Sequence, residues 1–205
     1  MQLKFFYFDL GKVLVDFSVE RMLRQVAQVA DISEEQARAA LFDQGLMRLH
    51  ETGQLSSREF HERFCEATGR RPGFERLAAA ATEIFTLNLP MLPLVAQLRQ
   101  AGYAMGILSN TCEIHWPYCM AHYRIIAEDF DHYVLSYEVG ASKPDAAIFL
   151  AAAERAGVRP DEIFFVDDIA GHVAGARAVG FDAVQFTTAE ALAGELRRRG
   201  VRFNY

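Results

Sequence analysis

Residues 4–8 run Lys-Phe-Phe-Tyr-Phe without polar alternation, the pattern of a strand buried on both faces of a parallel sheet. The run ends at Asp9, followed by Leu10 and Gly11. From residue 16 to about 89 the signals turn helical. Ser18 can cap a helix over 19–30, and Ser33 with Gln36 makes a capping-box pattern that opens a helix over 34–43. Ser56 with Glu59 repeats that pattern and opens a helix over 57–68, which Gly69 ends. After Pro72-Gly73 a helix over 74–85 would carry Leu77, Ala81, Ile84 and Phe85 on one face. Residues 16–89 hold no convincing strand and read as a small helical bundle inserted after the first strand.

Strand–helix alternation resumes at Pro90. A helix over 93–101 stops at Gly102, and a strand over 104–108 leads into Ser109-Asn110-Thr111. A third strand is predicted at 133–136. Lys143-Pro144 then precedes a helix over 145–156, ended by Gly157. A fourth strand, 163–166, runs into Asp167-Asp168, with a helix over 171–179 behind it. A fifth strand is expected at 183–186, and Thr187 with Glu190 patterns as a capping box for a last helix to Arg199. Repeated β–α units predict a parallel sheet with right-handed crossovers. The fold class is therefore α/β: a three-layer, Rossmann-like parallel-sheet core from residues 1–15 and 90–205, with a helical insert at 16–89.

Composition fits this picture. The 205 residues and 23.0 kDa suit one α/β core with a modest insertion, and 51% hydrophobic residues suffice for a substantial core. A net charge of −6 gives no electrostatic basis for binding nucleic acid or an anionic membrane. No apolar run approaches the ~18 residues of a membrane span. The first apolar residues lead straight into Asp9, so no secretory leader is expected. Cys65, Cys112 and Cys119 lack the number and spacing of a disulfide framework or zinc site, which predicts a reducing, cytoplasmic setting. The basic run Arg197-Arg198-Arg199 ends a predicted helix and complements its dipole. His115-Trp116-Pro117-Tyr118 fits an interface or the core equally, and the oligomeric state is open.

The ends of three predicted strands carry complementary polar groups. In open α/β sheets ligands bind beyond the carboxyl ends of the strands. Asp9 is a carboxylate able to attack and form a covalent intermediate. Ser109 and Asn110 supply neutral donors, Asp167 and Asp168 paired acids, and Lys143 a cation. A negative nucleophile approaching a phosphate needs its charge offset. A hard divalent cation held by Asp9 and one or both of Asp167 and Asp168 would do so, and Mg²⁺ prefers such ligands. Each piece alone also has an ordinary structural reading. Asp9 could cap a turn, the paired acids could cap a helix, Lys143 could lie on the surface, and Ser109-Asn110-Thr111 could form a turn.

Taken in order, Phe8-Asp9-Leu10-Gly11-Lys12-Val13-Leu14, Leu108-Ser109-Asn110-Thr111, Lys143-Pro144 and Phe165-Val166-Asp167-Asp168 resemble the four motifs of the haloacid dehalogenase superfamily. Glu51-Thr52-Gly53-Gln54-Leu55-Ser56 and Ser136-Tyr137-Glu138-Val139-Gly140 resemble the subgroup that includes bacterial α-D-glucose-1-phosphate phosphatase. The resemblance covers essentially the whole chain and implies that the insert is a cap domain. It implies an Mg²⁺-dependent phosphatase for a small organic phosphate, with Asp9 as nucleophile. Ser109 would bind phosphate, Asn110 would position the phosphate-binding turn, and Lys143 would offset charge. Asp168, assisted by Asp167, would bind Mg²⁺ with Asp9 and the Gly11 carbonyl. Glu51 would face the substrate from the cap.

The chain departs from the superfamily pattern where a second acid usually stands, at Gly11, a departure shared with the glucose-1-phosphatase-like subgroup. That acid would protonate the leaving oxygen; in its place His172 or Glu51 could supply the proton. His172, four residues after Asp168, would share its helix face. Lys12 stands where Gly or Asn is usual and could weaken metal binding. The alternatives are a metal-independent 2-haloacid dehalogenase, which would form an ester on the same Asp9, and a catalytically silent relative that binds a metabolite or partner protein. The paired acids argue against the first, while Lys12, Ile169 and His172 leave the second open.

Overall fold

β1 (Phe5–Phe8) is buried along its whole length and lies at the centre of the sheet. The structure, a computed structural model, describes residues 2–204; the outermost positions of the predicted core segments, 1 and 205, lie outside the described residues. The other elements in chain order are β2 (Val15–Phe17), helices α1 (Val19–Ala30), α2 (Glu34–Arg38), α3 (Leu46–Glu51), α4 (Ser57–Thr68) and α5 (Phe74–Thr82), then β3 (Phe85–Leu87). After these come α6 (Met91–Gln100), β4 (Ala104–Ser109), α7 (His115–His122), α8 (Arg124–Glu128), β5 (His132–Leu135), α9 (Ser136–Val139) and α10 (Ala146–Ala156). The chain closes with β6 (Ile163–Asp167), α11 (Ala170–Ala178), β7 (Asp182–Gln185) and α12 (Ala189–Arg198).

The five strands of the main sheet run in the order β5-β4-β1-β6-β7, all parallel. Successive β1 side chains point to opposite faces. Phe6 and Phe8 join Leu94 and Leu98 of α6 and Leu192 and Leu196 of α12. Phe5 and Tyr7 join Ile148 and Phe149 of α10 and Val173 of α11. Covering both faces explains why β1 has no polar position, and Tyr7 satisfies its hydroxyl by donating to the Ala152 carbonyl at 3.0 Å. The helices of the insert pack on an apolar cluster of their own, including Met22, Val26, Phe64 and Leu77. Among the described residues no helix is long and apolar enough to cross a membrane.

The structure corrects several expectations. β2 and β3 pair antiparallel, Val15 opposite Leu87, where no strand was expected in the insert. Each is three residues long, too short to show alternation, and they pair because the chain enters and leaves the insert side by side. The helix predicted over 74–85 accordingly ends at Thr82. The helix over 34–43 splits at Ala39 into α2 and a π-helical turn, with Gln44 N–H reaching back to the Ala39 carbonyl. The last helix is capped by Thr188, whose hydroxyl accepts from Ala191 N–H at 3.1 Å, so the Thr187–Glu190 box does not form. His115 and Trp116 are buried in the core, whereas Pro117 is exposed and Tyr118 half-buried.

Candidate active site

Sheet register gathers the polar strand ends. Phe8 lies opposite Ile107 of β4 and Val166 of β6, so Asp9 projects from the same carboxyl edge as Ser109 and Asp167. The strand order reverses around β1, which makes this edge the switch point where open α/β sheets take ligands. Asp9 N–H still donates to the Val166 carbonyl at 2.9 Å, fixing its backbone to the sheet.

Lys143 is the hub. It is buried, and its Nζ donates to Asp167 Oδ2 at 2.6 Å and to the Leu108 carbonyl at 2.9 Å, and lies 2.8 Å from Asp9 Oδ1. Asn110 holds the segment that delivers it: Asn110 Oδ1 accepts from Lys143 N–H at 2.8 Å, and Nδ2 donates to the Lys143 carbonyl at 3.0 Å. Asp167 also accepts from Ile169 N–H at 2.8 Å, and His172 Nδ1 lies 3.0 Å from both of its oxygens. A carboxylate only accepts, so Nδ1 carries the hydrogen. His172 therefore orients Asp167 and does not share a pairing with Asp168.

The charges are unevenly matched. Burial pushes the Asp9 carboxyl up to about 6, Lys143 opposing and Asp167 adding to the rise. Burial also works to raise Asp167, but hydrogen bonds from His172 and Lys143 outweigh it and hold that carboxyl low. Asp168 is raised by burial and then by Asp167. Asp9, Asp167 and Asp168 can each present one oxygen so that the three lie within 4.8 Å of one another. Three carboxylates around one lysine leave excess negative charge, and their hard oxygen donors fit Mg²⁺. Lys12 does not compete there. Its Nζ donates to the Phe17 carbonyl at 2.9 Å and sits over the Phe17 ring, with its backbone at φ +60°.

A cavity reaches this edge through Leu10, Gly11, Ser109 and Asn110. Glu51, at the end of α3, and His115, at the start of α7, also line it. His115 was not among the sequence candidates. A histidine within an apolar helix carries no distinguishing pattern, and only the packing of α7 against the insert brings it to the cavity.

The haloacid dehalogenase-like hydrolase family profile matches residues 3–180. The chain belongs to that family. D-ribitol-5-phosphate phosphatase from Bacteroides thetaiotaomicron is 27% identical over 185 residues, 87% of this chain and 89% of the relative. Glyceraldehyde 3-phosphate phosphatase from Methanopyrus kandleri is 34% identical over 80 residues, 38% of this chain and 33% of the relative. A haloacid dehalogenase family enzyme from Bacteroides thetaiotaomicron, solved with magnesium and inorganic phosphate, superposes with a TM-score of 0.79 at 29% identity. That alignment covers 91% of this chain and 95% of the other.

In this haloacid dehalogenase-like hydrolase one seam between the insert and the core runs along the end of α3 and the start of α4. Ser136 Oγ donates to the Glu51 carbonyl at 2.5 Å and accepts from Thr111 N–H at 2.9 Å, tying the end of α3 to the turn after β4. Glu113 accepts from the N–H and hydroxyl of Ser57, at 2.9 and 2.8 Å. Gly53, at φ +68°, packs so closely that an added Cβ would stand 2.2 Å from the Tyr137 carbonyl oxygen. Gly45 has a similar φ of +71° but open space around it. Gly45→Ala should cost only the left-handed strain, about 1–2 kcal/mol. Gly53→Ala should cost more and loosen the seam, which paired urea titrations of the two variants would measure. Equal losses would mean that the contact with Tyr137 contributes nothing.

Proposed function

We propose that the protein is a Mg²⁺-dependent phosphatase acting on a small organic phosphate, with Asp9 as the nucleophile. One observation carries the reading: a buried carboxylate at the switch point, salt-bridged to Lys143 and within reach of two further acids. The named activities of the relatives, on ribitol and glyceraldehyde phosphates, support a short polyol or sugar phosphate as substrate.

Residues 16–89 act as a cap over a core formed by residues 1–15 and 90–205. Asp9 attacks phosphorus, the ester oxygen leaves, and water then hydrolyses the aspartyl-phosphate. Ser109 binds the phosphoryl group, Lys143 stabilises the charge shared by nucleophile and phosphate, and Asn110 keeps Lys143 in place. Asp9, Asp168 and the Gly11 carbonyl would hold Mg²⁺, with Asp167 assisting from its place beside Lys143 and His172. Once bound there, the cation would offset the negative charge of phosphate and nucleophile. Glu51 faces the leaving group from the cap.

Phosphate release should therefore require Mg²⁺, disappear in EDTA and return when Mg²⁺ is added in excess. Asp168→Asn removes a charged ligand and should lower turnover by more than about 100-fold at saturating Mg²⁺. Undiminished turnover in chelator would contradict the metal assignment and favour haloacid chemistry, which a chloride-release assay run alongside would detect.

A further inference from the structure

Gly11 leaves the site without an acid two residues beyond the nucleophile, and the surrounding structure leaves little room for one. A Cβ at position 11 would stand 2.9 Å from the Phe17 ring. That ring is held by the Lys12 ammonium 4.9 Å from its centroid and by Phe85 at 6.1 Å. A side chain at position 11 would have to displace it, so a proton for the leaving oxygen must come from another wall of the cavity. Most of that wall is apolar, including Val19, Met22, Phe42 and Met47. Among the described residues that line it, Glu51 and His115 are the only ionisable ones.

Both are fixed by the fold. The Glu51 carbonyl is bound by Ser136, and His115 Nε2 lies 3.2 Å from the Ala81 carbonyl. A carbonyl cannot donate, so Nε2 carries the ring hydrogen, and in the neutral imidazole Nδ1 is a free acceptor. The two residues are near enough to feel each other's charge. Burial raises the Glu51 carboxyl against that pull and lowers His115, so both are pushed toward their uncharged forms. A protonated carboxyl in an apolar wall is the state that a general acid needs.

We propose that Glu51 is the general acid that protonates the leaving oxygen in place of the residue missing at position 11. This rests on the phosphatase reading above. In the first step Asp9 bonds to phosphorus, the phosphorus–ester oxygen bond breaks, and the Glu51 proton moves to that oxygen, giving the free alcohol and a Glu51 carboxylate. In the second step water attacks the aspartyl-phosphate, its proton returns to Glu51, and phosphate leaves with Asp9 restored as a carboxylate.

The test is single-turnover kinetics with enzyme in excess and Mg²⁺ present, using glycerol 3-phosphate and p-nitrophenyl phosphate. A single turnover isolates the first step. The nitrophenolate leaves without a proton, whereas the glycerol alkoxide needs one. Glu51→Gln keeps the shape of the side chain but has no acidic proton. Release of glycerol should fall by about 10²–10⁴-fold in that variant, and release of p-nitrophenol by at least about tenfold less. Glu51→Asp, which keeps an acid on a shorter arm, should recover part of the glycerol release. Should Glu51→Gln not fold, Glu51→Asp decides, with a loss on glycerol 3-phosphate larger than that on p-nitrophenyl phosphate. Equal losses on both esters, or no loss on glycerol 3-phosphate, would overturn the assignment while leaving the phosphatase reading intact. No phosphate release from either ester by the wild-type protein would refute the phosphatase reading and this inference with it.

Discussion

Asp9→Asn should reduce turnover by at least about 10⁴-fold while the protein stays folded, since removing the proposed covalent nucleophile eliminates the route and not merely a contact. The amide keeps the volume of the carboxylate, and its oxygen can still accept from Leu10 N–H, which reaches Asp9 Oδ1 at 2.7 Å in the wild type. Lys143 is not left unpaired either, because Asp167 and the Leu108 carbonyl remain. The variant should unfold at the same temperature as the metal-free wild type or slightly higher, because a buried carboxylate beside Asp167 has been neutralised. Thermal unfolding in EDTA and a phosphate-release assay in Mg²⁺ together check this. A variant that is both inactive and markedly less stable would point to a structural role for Asp9.

Lys143→Met should have the largest effect on stability. The substitution removes the one cation, among the described residues, that is paired with both Asp9 and Asp167, while Met fills a similar volume. Breaking a buried ion pair from one side costs about 3–5 kcal/mol, mostly as the penalty on the charges left behind. Urea unfolding in EDTA near pH 8 should show that loss. The deficit should narrow on acidification, because protonating Asp9 removes one of the two unpaired charges. Turnover should fall as well, since the ammonium no longer screens the nucleophile from phosphate. A loss below about 1 kcal/mol would mean that the two carboxylates are solvated by other means.

The core was legible in the sequence because its signals are strong and local. A strand buried on both faces must read as Phe5-Phe6-Tyr7-Phe8, and parallel strands with helical crossovers put Asp9, Ser109 and Asp167 at one edge whatever the details of the helices. The stretches 51–56 and 136–140, noted in the sequence only as a resemblance, meet in the structure, where Gly53 packs on Tyr137 and Ser136 holds the Glu51 carbonyl. What did not show was set by tertiary contacts. The β2–β3 ribbon consists of two three-residue strands about seventy positions apart, a pairing that no local pattern signals. α3 follows Gly45 with no side-chain cap and spans six residues, below what periodicity can resolve. The cap expected at Thr187 lies one residue later, at Thr188, because the path of the chain out of β7 sets where the helix starts. His172 seemed able to face Asp168 from helix spacing alone, but it turns to Asp167, whose carboxylate lies at the end of β6 just before α11. Lys12 looked like a threat to metal binding until its ammonium was seen to be engaged by Phe17.

The phosphoryl group proposed to be carried on Asp9 can be sought on the peptide itself. The protein, with Mg²⁺ and a substrate identified by a phosphate-release screen, is quenched in acid during steady-state turnover, digested and examined by mass spectrometry. Reduction with borohydride before digestion converts an acyl phosphate at Asp9 to homoserine and marks the position permanently. One phosphoryl group is expected on the peptide containing Asp9, with homoserine at that position after reduction, and neither in Asp9→Asn. Turnover limited by hydrolysis of an intermediate, with the phosphoryl group found on another residue, would contradict that proposal.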